Sequence, residues 1–134
     1  MVIINNSKYE PGRHILLDCK GELAHYDDQQ MLTLLKSAAQ ASNAKVLSSH
    51  FHCFGDGQGI TGVLILAESH ITVHTWPELD YAAFDIFMCG DCDPENAAGI
   101  ITDNLHSDEF NKQTIYREAG NIESLPVSSS QAVS

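Results

Sequence analysis

Four short β-type runs follow one another between Lys45 and Met88, and this succession leaves no room for a helix in the middle of the chain. Lys45 to Phe54 carries Val46, Leu47, Phe51 and Phe54 as apolar bulk. Thr61 to Glu68 is an apolar run, and His70 to Thr75 alternates polar with apolar residues, with a lone Ser69 at their junction. Tyr81 to Met88 is rich in the aromatic and β-branched residues that suit a pleated surface. The interruptions are Gly55-Asp-Gly-Gln-Gly59, a flexible loop, and Trp76-Pro-Glu-Leu-Asp80, a turn whose proline cannot continue a ladder.

Helical periodicity occurs only outside this block. Asp27 or Asp28 can cap a helix in which Met31, Leu32, Leu35, Ala38 and Ala39 recur at helical spacing, ending at Ser42-Asn43. Asp93-Pro94 sets a cap before a proline at the first helical position, and Ala97, Ala98, Ile101 and Leu105 extend an apolar stripe to about His106. Arg13 to Cys19 and Gln113 to Glu118 read as strands at the two ends. The order β–α–β–β–β–β–α–β predicts an α+β two-layer sandwich, a largely antiparallel sheet with both helices on one face. The other face then needs a cover, which a second subunit supplies most economically, with the sheets packed in a dimer. A single domain is expected over residues 1–123, beginning with a poorly specified lead-in to residue 12, and the serine-rich residues 124–134 read as a disordered tail.

The formal charge of −11 argues against nucleic acid, whose phosphates require a basic footprint, and suits a cationic ligand only weakly. No apolar run approaches the roughly 18–20 residues needed to span a bilayer, and the start of the chain lacks a secretory pattern. The expectation is a cytoplasmic protein without a membrane partner. Cys19, Cys53, Cys89 and Cys92 are too few and too scattered for a secreted disulfide framework.

Several constellations could carry chemistry. His50, His52, Cys53, His70, His74, Cys89 and Cys92 include enough donors for zinc, but the spacing fits no zinc motif, and no metal is expected. Cys89-Gly-Asp-Cys92 has redox spacing between a strand and a helix, yet the intervening residues and local acidity oppose thiolate formation. The glycine loop lacks the Lys and Ser/Thr of a phosphate cradle. Ser69 with His74 suggests a nucleophile and base, but the glycines of a hydrolase elbow and a third acidic partner are missing. A different use of Ser69 is open. Its hydroxyl could attack the Glu68 carbonyl, giving an ester whose elimination cuts the chain and leaves dehydroalanine, which hydrolyses to a pyruvoyl group. That requires a held backbone, an oxyanion donor and a general acid/base such as His74. On residue chemistry alone a plain polar strand turn is the stronger reading.

Ala67-Glu-Ser-His-Ile-Thr-Val-His-Thr-Trp-Pro-Glu78, followed by Tyr81-Ala-Ala-Phe-Asp-Ile-Phe-Met-Cys-Gly90, resembles the prokaryotic S-adenosylmethionine decarboxylase proenzymes. Gly12-Arg-His-Ile-Leu-Leu17, Phe51-His-Cys-Phe54 and Gly59-Ile-Thr-Gly62 extend the likeness over roughly residues 12–94. The resemblance implies self-cleavage at Glu68–Ser69 into a β chain of residues 1–68 and an α chain of residues 69–134. Ser69 would become the pyruvoyl cofactor that holds the substrate as a Schiff base. It implies His74 as a processing residue, Thr61 in place of a usual processing serine, Cys89 as proton donor to the substrate α-carbon, and Phe54 beside the adenine. It further implies a small-molecule substrate, no metal, and a homodimer of αβ protomers. The chain departs from the family in its long glycine loop after Phe54, in Met88 where threonine is usual, and in Glu95 where tryptophan is common. Asp56 in that loop could pair with the distal cation of a basic amino acid. The leading expectation is therefore an S-adenosylmethionine decarboxylase supplying the aminopropyl donor for spermidine. A pyruvoyl-dependent ornithine or arginine decarboxylase is the alternative, and a non-catalytic metal-binding module a third reading.

Overall fold

The computed structural model describes residues 12–106 and 109–117; the expected lead-in before Gly12, the end of the last strand at Glu118 and the tail at 124–134 lie outside these residues. The elements follow the expected order: β1 (Gly12–Lys20), α1 (Asp28–Ala41), β2 (Val46–Cys53), β3 (Ile60–Leu66), β4 (Ser69–Trp76), β5 (Tyr81–Met88), α2 (Pro94–Thr102) and β6 (Phe110–Arg117). Single 3-10 turns at Glu22–His25 and Pro77–Leu79 precede α1 and β5.

The six strands form one sheet in the order β2-β3-β4-β5-β1-β6, and every neighbouring pair is antiparallel. The central meander pairs because its links are short, whereas β1 enters between β5 and β6. Alternation divides the two faces. On one, Ile15, Leu17, Leu64, Ile71, Val73, Phe84, Ile86 and Met88 are buried beneath the helices. The helices contribute Met31, Leu34, Leu35, Ala38 and Ala39 from α1, and Ala97, Ala98 and Ile101 from α2. Each fully buried aliphatic side chain contributes about 1.5–3 kcal/mol, so this layer carries most of the stability.

The helix starts are chemically specified. Asp27 and Gln30 form a reciprocal capping box, with Gln30 N–H donating to Asp27 Oδ1 at 2.8 Å and Asp27 N–H to Gln30 Oε1 at 2.9 Å. At α2, Glu95 N–H donates to Asp93 Oδ1 at 3.0 Å, with Pro94 at the first helical position. Two details of the helices differ from expectation, and the last strand begins at Phe110 rather than Gln113. Leu34 rather than Leu32 is among the buried α1 residues, because helical spacing alone leaves the stripe's exact centre free. α2 ends at Thr102, not His106: Asn104 Nδ2 donates back to the Ile100 carbonyl at 2.9 Å, closing the helix with a side chain that competes for backbone groups. Leu105 still packs against the core, from a turn.

No helix among the described residues lies over the second sheet face. It presents His14 and Leu16 of β1, Thr61, Val63 and Ile65 of β3, His70, Thr72, His74 and Trp76 of β4, and Tyr81, Asp85 and Phe87 of β5. Ile65, Trp76 and Ile115 are among its exposed large apolar side chains. No helix among the described residues is long and apolar enough to cross a membrane.

Candidate active site

The Glu68–Ser69 junction is a hairpin corner. β3 and β4 pair up to Leu66 opposite Ser69, so Ala67 and Glu68 alone make the turn, tied down by the Ala67 N–H donating to the Lys45 carbonyl at 2.9 Å. A two-residue hairpin turn demands positive φ, and the sequence supplies no glycine there; Glu68 adopts φ +62 instead. A non-glycine residue in this left-handed region is strained by about 1–2 kcal/mol. Ser69 is consequently the first residue of β4, not a link between strands. Its side chain falls on the helix-side face and is buried, and its Oγ has no hydrogen-bond partner among the described residues. By contrast, the buried Thr75 hydroxyl on the same face accepts from the Ile60 N–H at 2.9 Å. A buried hydroxyl without a partner, beside a strained peptide, is where functional chemistry is sought first.

Cys89 lies against this corner. Following the β4–β5 register past His70 opposite Phe87 brings Cys89 alongside Glu68, and the Cys89 thiol donates to the Glu68 carbonyl oxygen at 3.4 Å. The turn that carries Cys89 is clamped by Arg13, a residue to which sequence reasoning gave no role. Arg13 Nη2 donates to the Cys92 carbonyl at 2.9 Å, and Nη1 pairs with Asp93 Oδ1 at 3.4 Å. The signal for it was weak: only its place in the Gly12-Arg-His stretch.

The other expected residues lie elsewhere. Thr61 and His74 face each other across β3 and β4, with Thr61 Oγ1 and His74 Nδ1 at 3.0 Å. His74 is on the uncovered face, opposite to Ser69, and five residues further along β4, which at about 3.4 Å per residue is about 17 Å. Phe54 is exposed at this same far end, its ring edge-on to His52 at 4.6 Å between centroids. Asp56 lines a cavity of about 410 Å³ together with Asp27, Asp28 and Cys53, again at the far end. The chain therefore carries two groups at opposite ends of the sheet: Glu68, Ser69 and Cys89 at one, and Phe54, Asp56, Thr61 and His74 at the other.

The uncovered face also holds a histidine pair that sequence reasoning did not assign. His14 and His70 meet edge-on at 6.2 Å, flanked by Phe87, with Asp85 3.6 Å from His14 and Arg117 over the Phe87 ring. Burial, and then the nearby His14, pull the His70 pKa below its ordinary value. Among the described residues no group of three or more His, Cys, Asp or Glu side chains is placed to hold a metal ion.

The sequence profile described as S-adenosylmethionine decarboxylase matches residues 13–118. The S-adenosylmethionine decarboxylase proenzyme of Clostridium kluyveri is 42% identical over 112 residues, covering 81% of this chain and 87% of that protein. The proenzyme of the same name from Bacillus velezensis is 38% identical over 114 residues, covering 84% and 90%. The crystal structure of the adenosylmethionine decarboxylase from Aquifex aeolicus superposes with a TM-score of 0.71 at 34% identity, covering 82% of this chain and 92% of that one. With sequence and fold agreeing over most of its length, the chain belongs to the S-adenosylmethionine decarboxylase family.

Proposed function

We propose that this chain is a proenzyme that cuts itself between Glu68 and Ser69 and then decarboxylates S-adenosylmethionine, using a pyruvoyl group made from Ser69. The observation that carries the reading is the contact of the Cys89 thiol with the Glu68 carbonyl at a corner where Glu68 is held at φ +62. The relatives support S-adenosylmethionine as substrate over ornithine or arginine.

The residues present fit this cofactor. Processing requires a serine with a hydroxyl that nothing else occupies, and the orphaned Ser69 Oγ meets that requirement. Ser69 Oγ adds to the Glu68 carbonyl, and the amide nitrogen leaves as the ester forms. A Cys89 S–H directed at that oxygen suits the stabilisation of the negative charge that develops there. Removal of the Ser69 α-proton then expels the Glu68 carboxylate, and hydrolysis of the resulting dehydroalanine releases ammonia. The pyruvoyl group supplies a carbonyl that takes up an amine and accepts the electron pair left by departing carbon dioxide. Cys89 afterwards holds the proton delivered to the substrate α-carbon, and Arg13 keeps the Cys89 turn in place for that transfer.

The far-end group enters through a second copy. His74 and Thr61 lie about 17 Å along the strands from Ser69 of their own chain, too far to serve it. A two-fold axis lying between the stacked sheets and perpendicular to the strands sets one end of the sheet opposite the other end of its partner. The Thr61–His74 pair then supports processing at Ser69 of the partner subunit, and Phe54 supplies an aromatic surface for the adenine there. The apolar side chains of Val63, Ile65, Trp76 and Ile115 favour burial of this face in a homodimer.

The test of substrate is carbon dioxide release from S-adenosylmethionine, ornithine and arginine under identical conditions. Turnover of S-adenosylmethionine alone is expected; an inert S-adenosylmethionine with turnover of a basic amino acid overturns the substrate assignment.

A further inference from the structure

Cys92 is used by none of the chemistry above, yet its setting is specific. Cys89-Gly-Asp-Cys92 is a single β-turn: the Cys92 N–H donates to the Cys89 carbonyl at 3.4 Å, and Gly90 takes φ +67. Such a turn holds its first and fourth Cα atoms within about 7 Å, and a disulfide spans about 4.4–6.8 Å between Cα atoms. Both thiols are free and half-buried, and neither belongs to a group of side chains among the described residues that could hold a metal ion. Each makes one weak contact to a backbone carbonyl, Cys89 to Glu68 at 3.4 Å and Cys92 to Asn43 at 3.3 Å. Thiols are weak donors, so a side-chain rotation surrenders these contacts at small cost.

The main chain around the turn is already fixed by the Arg13 contacts to Cys92 and Asp93 and by the Asp93 N–H donating to the Ser42 carbonyl at 3.2 Å. The two remaining cysteines are not competitors. Cys19 is buried, its thiol pushed up to about 12 by burial and then by Asp18, and Cys53 is at the far end of the sheet.

We propose that Cys89 and Cys92 close a reversible disulfide across this turn, which withdraws the proton donor and silences the enzyme until the bond is reduced. Its effect on turnover rests on the role of Cys89 proposed above; formation of the bond does not. The co-reactant is a low-molecular-weight disulfide. Cys89, as thiolate, attacks one sulfur of that disulfide, whose S–S bond breaks and releases one thiolate. Cys92 then loses its proton and attacks the Cys89 sulfur of the mixed disulfide, releasing the second thiolate. Two protein thiols are oxidised, one external disulfide is reduced to two thiols, and the protons pass to the departing thiolates. Burial, then Cys89, Asp91 and Glu68, push the Cys92 thiol up, so the second step quickens as pH rises. The ring encloses only four residues, restrains the chain little, and is open to reduction.

The experiment equilibrates the purified protein with graded ratios of oxidised to reduced glutathione, blocks remaining thiols, maps peptides by mass spectrometry and assays carbon dioxide release in parallel. The expected result is a peptide with Cys89 linked to Cys92 that accumulates with the oxidised ratio, activity that falls in step, and full recovery with dithiothreitol. Cys92→Ser should keep its activity in reductant and give only the Cys89–glutathione mixed disulfide on oxidation. Absence of the linked peptide at every ratio, while exposed Cys53 becomes glutathionylated, overturns the proposal. A linked peptide with undiminished turnover overturns the switch and, separately, the assignment of Cys89 as proton donor.

Discussion

At the scale of single residues, the proposed chemistry rests on Glu68, Ser69 and Cys89. Ser69→Ala is expected to abolish cleavage, leaving one uncut band on denaturing electrophoresis. Cys89→Ala should still cleave, with any loss of processing rate smaller than the loss of kcat, which should fall by about 10²–10⁴, the usual contribution of a positioned acid. The strain at Glu68 gives a subtler prediction. Glu68→Gly relieves a left-handed conformation that costs glutamate about 1 kcal/mol. In the uncleavable Ser69→Ala background it should raise the melting temperature, and with Ser69 present it should slow cleavage by roughly fivefold, the equivalent of that energy. His70 makes the pH prediction. Its folded pKa is pulled below the ordinary 6.5 by burial and by His14, against an opposing pull from Asp85. The unfolded chain therefore takes up a proton first as pH falls. Stability present above about pH 6.5 is lost progressively towards the lower folded pKa, and His70→Asn in the uncleavable background should flatten that decline in melting temperature.

At the scale of elements, much was legible in advance because local chemistry and tertiary need agreed. The Asp27 cap with a stripe from Met31 to Ala39, and Asp93-Pro94 before Ala97 and Ile101, specify helices by capping and burial together. The meander from β2 to β5 was legible from its short links. What could not be read was which strands neighbour β1, since pairing between distant segments leaves no periodic trace; its insertion between β5 and β6 is what brings Arg13 to the Cys89 turn. Nor could alternation alone reveal that Ser69 and His74 point to opposite faces, because that depends on Ser69 being the first residue of β4. The resemblance named both residues without showing that one chain keeps them apart. Arg13→Gln is expected to leave cleavage intact while lowering kcat, because it frees the turn that aims Cys89; Arg13→Lys should rescue kcat only in part, since lysine cannot hold the Cys92 carbonyl and Asp93 together as a planar fork does. Gly62 gives an independent check of the β2–β3 register. A Cβ there would stand 2.2 Å from the Phe51 ring, so Gly62→Ala should destabilise the uncleavable protein by about 1–3 kcal/mol in urea titration.

At the scale of the whole molecule, one sheet carries two groups of candidate residues at opposite ends, and the proposed dimer joins them. If the Thr61–His74 pair works across the dimer, co-expressed Ser69→Ala and His74→Ala chains should complement: the His74→Ala chain, uncut in its own homodimer, should be cut when paired with a Ser69→Ala subunit that still carries His74. A His74→Ala chain that is cut equally well in both settings contradicts the arrangement. The family and its fold bear on what the site is for, while the strained corner, the orphaned serine and the thiol beside it bear on how it is made. The most direct test of self-cleavage is the intact mass of the purified protein. Self-cleavage predicts two chains, residues 1–68 ending in a free Glu68 carboxylate and residues 69–134 beginning with a pyruvoyl group in place of an amino terminus. A single uncut chain of 134 residues after prolonged incubation, or a fragment beginning with an ordinary Ser69 amine, contradicts it.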